Sequence, residues 1–329
     1  MKIAIVKLSA MGDIIHAMVV LEYIKKNIPN IEIDWVVESA FAPILEDNPN
    51  ITRILPVNLK ALKRDKKKLF SQIKLIKEYS HKNYDCVIDA QGLIKSAITS
   101  SFLSKNTYGF SKHSIREKVA SYLYKHKIDI PYNANTIDRN AKIISNALGF
   151  DISSEDILKK QPFLYYKEDA SIKKYLTKDK KNIIFVVGST WESRNYPQEK
   201  FVQIAHTLQA NTLVVWGNEE EYQKAKYIET HTPYAKAMPK INLNTLKALI
   251  SQSDLLIGND TGPTHMAWGL NIPSITIFGP TPTSRVYITP INKVIKSNSI
   301  VNPYKLNKND YSIRDINPNA IINLAKELL

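Results

Sequence analysis

The sequence predicts an α/β protein of two domains, each built on a parallel sheet. Three observations predict it. Short β-rich apolar runs alternate with longer amphipathic stretches, the pattern of strand and crossover helix. The alternation restarts halfway along the chain, after a polar joint. The 329 residues are enough for about two domains at roughly 150 residues each.

In the first half the strands expected are Lys2–Lys7, Ile33–Val37 and Cys86–Asp89. Between the first two, Ile14, Ala17, Met18, Leu21 and Ile24 fall at helical spacing. The stretch 150–181 is polar and charged, with Phe163–Tyr166 as its one strand-like run; it closes the first domain and forms the linker. The second half reads Asn182–Val187 as strand, Gln198–Leu208 as helix, and Thr212–Trp216, Leu255–Gly258 and Ser274–Phe278 as strands. A final helix is expected over Pro318–Leu329. Two such halves imply a cleft between them, with ligands at the carboxyl ends of the strands.

Composition narrows the class. Apolar residues make up 44% and charged residues 23%, ordinary for a soluble globular protein. No run reaches the ~18 apolar residues of a membrane span, and the N-terminal run is too short for a signal peptide. The single cysteine, Cys86, excludes an internal disulfide. A cytoplasmic protein is expected. The net charge is +14 and unevenly spread. Residues 59–70 carry six basic side chains against Asp65, and residues 105–127 carry six against Glu117. Such a field suits nucleic acid, an anionic membrane surface or a polyanionic substrate. No helix-turn-helix, RNP or zinc-finger signature supports nucleic acid.

The strand-end loops carry the chemistry. Residues 7–13 (KLSAMGD) form neither a GxGxxG nor a Walker A loop, which counts against dehydrogenases and P-loop NTPases. Gly12 is expected to permit a tight turn there. Asp13 stands at a helix start, where a carboxylate is favoured; spacing alone favours a plain helix cap. In the loop 187–197, Ser189, Thr190 and Arg194 suit phosphate oxygens. Glu219, with Glu220 and Glu221 beside it, follows a strand and suits ribose hydroxyls. In GNDTGPTH (258–265) a strand runs into a turn and a helix. Its unpaired amides at Thr261 and Gly262 would face a bound anion, a pyrophosphate being the natural guest. The spacing of Asp, His and Cys offers no metal site.

Together KLSAMGDIIHAM, WVVESAFAPI, YDCVIDAQGLIKSA, GSTWESRNYP, VVWGNEEE and GNDTGPTHMAWGLNIPSITIFGPT resemble the lipopolysaccharide heptosyltransferases of glycosyltransferase family 9. The opening loop is more similar to the type I than to the type II form. The resemblance runs in order to about residue 285. It implies a GT-B fold: domains at 1–160 (acceptor) and 161–310 (ADP-heptose), with residues 311–329 returning to the first domain. It implies inverting, metal-independent transfer of L-glycero-D-manno-heptose from ADP-heptose to the first Kdo of Kdo-lipid A, with no cofactor. Addition of a later core heptose is the alternative, and a basic nucleic-acid-binding module a more distant one. A monomer is expected, peripheral on the cytoplasmic face of the inner membrane. By the same resemblance Asp13 is the general base. Ser189, Thr190, Arg194 (where the family usually has lysine), Glu219, Asp260, Thr261, Gly262 and His265 bind donor. Lys60, Lys63, Arg64, Arg116 and Arg139 belong to the acceptor side.

Overall fold

The computed structural model describes every residue except Arg64, and of Lys63 the backbone only. The chain divides into Met1–Tyr165 and Tyr166–Leu329, within the 150–181 stretch that the sequence pattern reads as the linker, while the resemblance implies a boundary at 160/161.

The first unit runs β1 (Lys2–Val6), α1 (Met11–Met18), α2 (Val20–Asn27), β2 (Glu32–Glu38), β3 (Arg53–Val57), α3 (Leu69–Ser80), β4 (Cys86–Asp89), α4 (Ile94–Leu103), β5 (Thr107–Phe110), β6 (His126–Ile128), α5 (Thr136–Leu148) and α6 (Ser154–Leu158). Its strands lie in the order β3-β2-β1-β4-β5-β6, all pairs parallel. The central strand β1 is buried almost throughout, as a strand covered by helices on both faces must be. The core includes Val6, Leu8, Val36, Val57 and Val87. Trp35 is fully buried, and its indole N–H reaches the Lys7 carbonyl at 3.3 Å.

The second unit runs β7 (Asn182–Val186), α7 (Gln198–Leu208), β8 (Asn211–Val215), α8 (Glu219–His231), β9 (Ala235–Ala237), α9 (Leu243–Ser251), β10 (Leu255–Asn259), α10 (Gly262–Gly269), β11 (Ser274–Phe278), β12 (Asn292–Lys296) and α11 (Pro318–Leu328). Its sheet is β12-β11-β10-β7-β8-β9, again all parallel. Counted within the unit, this is the strand order of the first sheet. Each sheet therefore reverses its winding between its first and fourth strands, β1/β4 and β7/β10. At such a point the helices leave toward opposite faces and a crevice opens above the strand ends.

Several expectations need correction. The helical run through Ile24 is two helices, α1 and α2, joined at Val19. Phe163–Tyr166 forms no strand; Phe163 and Leu164 are buried instead. The outer strands β3, β5, β6, β9 and β12 escaped the sequence pattern, being short or mixed in polarity. Helix α11 packs with the second unit. Its apolar face, Ile321, Ile322 and Ala325, joins the core of Ile183, Phe185 and Phe201, and the helix packs on α7.

Candidate active site

At the first switch point two strand-end loops are sewn together by one side chain. β1 and β4 are adjacent, with Val6 opposite Asp89. The Gln91 Oε1 accepts the backbone N–H groups of both Leu8 and Ser9, each at 3.0 Å. Asp89, fully buried, holds its own turn by accepting the amides of Gln91 (2.8 Å) and Gly92 (3.1 Å) on Oδ1. Its Oδ2 accepts the Tyr124 hydroxyl at 2.7 Å. Gly92 is at φ +68°, a left-handed conformation that glycine adopts without strain. Burial pushes the Asp89 carboxyl up, and Tyr124, Ser96 and the two amides pull it back.

Asp13 sits on this platform as the third residue of α1. Its Oδ2 accepts the Ala10 N–H at 3.1 Å, and the residue is half-exposed. Gly12 makes no tight turn. It is a buried helical residue of the first turn of α1, because the chain changes direction earlier, at extended Ala10. Beneath them Lys7 is buried. Its Nζ donates to the Ala90 carbonyl (2.7 Å) and the Asn140 Oδ1 (3.2 Å). Burial lowers the Lys7 pKa against the attraction of Asp13 and Asp89. Lys7, Asp89, Gln91 and Asn140 were not picked out individually from the sequence; the signal was the DAQG run directly after β4.

The basic residues of this unit are differently placed. Lys60 is exposed; its N–H donates to buried Glu38 at 3.3 Å and its Nζ lies 4.5 Å from the centre of the Phe41 ring. Lys63 closes the 3-10 turn Lys60–Lys63, and Arg64 lies outside the described residues. Arg116 projects, with 63% of its side chain exposed and Glu117 at 3.8 Å. Arg139 braces its own unit. It donates to the carbonyls of Ser114 (2.6 Å), Pro131 (2.8 Å) and Ile130 (3.3 Å) and packs over Phe110.

The second switch point repeats the device. The Asn259 side chain accepts the Tyr196 N–H at 3.0 Å and donates to the Val187 carbonyl at 2.9 Å, tying the loop after β7 to the end of β10. Asp260 follows, 2% exposed. His265 Nε2 lies 3.1 Å from its Oδ1. Arg194 Nη2 and Thr281 Oγ1 each donate to Oδ2 at 2.8 Å, and Arg194 also reaches the Asp260 carbonyl. Burial alone would raise the Asp260 pKa; His265, Arg194 and Arg285 overcome it and hold the carboxyl well below the usual carboxylate range. Thr261 caps α10 in extended conformation without a side-chain cap bond. Pro263 has no amide, and the N–H groups of Thr264 and His265 turn back on the Thr261 carbonyl at 3.1 and 3.3 Å, so Gly262 is the amide at the positive dipole end of the helix. Ser189 Oγ is buried without a hydrogen-bond partner, while Thr190 is exposed.

Glu219 and Glu221 separate by geometry. Glu219 is exposed and accepts Gln223 Nε2 at 2.7 Å. Glu221 turns inward: its Oε2 accepts the Gly217 N–H at 2.7 Å and its Oε1 accepts Asn218 Nδ2 at 3.0 Å. Its carboxyl fills the space over Gly188, where a Cβ would meet the Glu221 Cδ at 2.1 Å. Sequence spacing could not choose between them, since the cap geometry of α8 decides which one folds back. Among the described residues no three His, Cys, Asp or Glu side chains gather as a metal site requires.

Residues 72–314 match the family model of glycosyltransferase family 9 (heptosyltransferase). The chain belongs to this family. It is a heptosyltransferase of lipopolysaccharide core synthesis. Lipopolysaccharide heptosyltransferase 1 of Campylobacter coli is 39% identical, the alignment covering 100% of this chain and 99% of the relative. The enzyme of the same name from Escherichia coli K12 is 30% identical over 85% of this chain and 88% of its own. Among solved structures, E. coli heptosyltransferase WaaC with ADP superposes with a TM-score of 0.82 at 24% identity, each chain covered in full. E. coli ADP-heptose lps heptosyltransferase II gives 0.74 at 19%, covering 100% of this chain and 98% of that one. This heptosyltransferase thus has the GT-B fold: the two sheets are Rossmann-like, and its two furnished switch points are the positions where such sheets bind ligands.

Proposed function

We propose that this family 9 enzyme transfers L-glycero-D-manno-heptose from ADP-heptose to the first Kdo of Kdo-lipid A, with inversion and without a metal. The observation that carries the reading is the full-length similarity to the Campylobacter coli type 1 enzyme. In this reading the acceptor hydroxyl oxygen bonds to the anomeric carbon as the bond from that carbon to the diphosphate oxygen breaks. The proton passes to the half-exposed Asp13 carboxylate, and the electron pair leaves with ADP. General-base help of this kind is worth about 10²–10⁴-fold. The leaving charge falls on the amides of Thr261 and Gly262, on Arg194 as Asp260 positions it, and on the Ser189 and Thr190 hydroxyls. Fixed donors and dipoles can carry such charge. Glu219 takes the ribose, Asp260 and His265 the heptose side of the loop. Lys60, Lys63, Arg64, Arg116 and Arg139 serve the acidic acceptor. The enzyme works as a monomer, peripheral on the cytoplasmic face of the inner membrane, where its basic excess favours an anionic surface.

Mass spectrometry of Kdo-lipid A after incubation with ADP-heptose tests it. One added heptose, unaffected by EDTA and with the anomeric configuration opposite to the donor's, is the expected product. Transfer only to already heptosylated acceptor would assign a later core step. Asp13→Ala should cut turnover by about 10²-fold or more while calorimetry still shows ADP binding. Near-normal turnover would remove Asp13 from the role of base.

A further inference from the structure

Helix α4 reverses the polarity of a surface helix. Its buried face is Ser96, Ala97, Thr99, Ser100 and Leu103. The stripe it shows to solvent, at positions i, i+4 and i+8, is Ile94, Ile98 and Phe102. Surface helices ordinarily do the opposite. The buried hydroxyls of α4 find backbone carbonyls one turn back, Thr99 on Lys95 at 2.8 Å and Ser100 on Ser96 at 2.9 Å, so they are tolerated inside. The 3-10 turn Lys118–Leu123 packs on α4 and repeats the reversal: Ala120 and Ser121 are buried, and Val119, Tyr122 and Leu123 project. The six apolar side chains are between 37% and 72% exposed. Glu117 pins the two segments together, its Oε2 accepting the Ile94 N–H at 2.8 Å.

The stretch of chain that carries the turn is basic. Lys105, Lys112, Arg116, Lys118, Lys125 and Lys127 are all exposed. Glu117, the one acid among residues 105–127, is engaged by Ile94 and Arg116. Lys127 Nζ stands 5.9 Å from the centre of the Tyr122 ring. Single exposed apolar residues are normal; six on two packed segments, with Lys118 in the turn and Lys127 beside Tyr122, mark an interaction face. Nucleic acid would use the cations and leave the aliphatic side chains in water. An anionic bilayer uses both: apolar side chains enter at headgroup depth while lysines reach the lipid phosphates. No described helix is long and apolar enough to cross a membrane, so such contact is interfacial.

We propose that α4 and the 118–123 turn form the face by which this enzyme docks on an anionic lipid bilayer, Ile98, Phe102 and Tyr122 entering the interface. The proposal rests on the reading that the acceptor is a membrane lipid. The full chain is tested by flotation with vesicles of phosphatidylethanolamine and phosphatidylglycerol, against phosphatidylcholine alone. The wild type should float with the anionic vesicles and keep part of its binding at high salt. Ile98→Ser with Phe102→Ser should lower the partition coefficient by about tenfold or more. Phe102→Trp should emit at shorter wavelength when anionic vesicles are added. Turnover of the double variant on a soluble, lipid-free Kdo acceptor should stay at the wild-type level, while turnover on vesicle-borne Kdo-lipid A falls. Partition unchanged by the apolar substitutions, or wild-type binding abolished by salt, would reduce the contact to charge alone and overturn the proposal. A wild-type dimer in sedimentation velocity that the double variant converts to monomer would overturn it in favour of self-association. Failure of the wild type to use any Kdo acceptor would instead strike the acceptor reading, with vesicle partition still deciding the docking face.

Discussion

Arg194 and Asp260, 66 residues apart, meet as a buried ion pair with Nη2 2.8 Å from Oδ2. Only 13% of the arginine side chain and 3% of the aspartate side chain are exposed. The pair joins the loop after β7 to the loop after β10, so the guanidinium is fixed in place by an anion that does not itself face water.

Replacing that anion should be costly. Asp260→Ala leaves the Arg194 guanidinium without this counter-charge, and breaking a buried pair from one side costs about 3–5 kcal/mol. Chemical denaturation should show a loss of this order. The pH dependence follows from the sign of the shift. The Asp260 carboxyl ionises below its unfolded value, so its contribution is complete above about pH 4 and declines as the pH falls toward the folded value. Asp260→Asn should lack that part of the acid-induced fall in stability.

Glu221 and Glu219 should part experimentally as they do geometrically. Glu221→Ala removes the acceptor for Gly217 and Asn218 and should cost about 1 kcal/mol in stability. Glu219→Ala should leave the melting temperature unchanged and raise KM for ADP-heptose. Gly188→Ala should displace the flexible Glu221 carboxyl rather than unfold the unit, weakening donor binding with a small change in Tm. An unchanged KM in Glu219→Ala would take the ribose contact away from that residue.

Gln91 should matter more to turnover than its distance along the chain from Asp13 suggests. Gln91→Ala leaves two loop amides without their acceptor, each worth about 1 kcal/mol, and loosens the platform under α1. We expect kcat to fall with little change in ADP affinity, while Gln91→Glu, which keeps an acceptor oxygen, retains most of the wild-type rate. Equal rates in Gln91→Ala and wild type would show that the platform holds without it.

Lys160 gives the first unit an alkaline stability slope. Burial, opposed by Glu22, brings its pKa down to about 7. Above that pH the folded chain has released a proton that the unfolded chain keeps up to about pH 10, so stability rises with pH across this window. Lys160→Met should flatten the rise and increase stability near pH 7, as read from denaturation midpoints.

The sequence by itself determined the two parallel α/β halves and the central strands, because strands covered on both faces must be apolar throughout and so stand out. It also determined the strand-end loops that carry Asp13, Arg194 and Asp260, since the punctuation of strand, glycine and helix start is local. The outer strands β3, β5, β6, β9 and β12 did not show, being short and half-exposed. Only the tertiary structure decided that Glu221 and not Glu219 folds back on Gly188, that Gln91 and Asn259 each sew a switch point, that Arg139 braces its own unit, and that α11 packs on α7. Each of these is a meeting of groups set by strand order or helix-cap geometry, and a linear pattern carries no record of which neighbours the sheet will bring together.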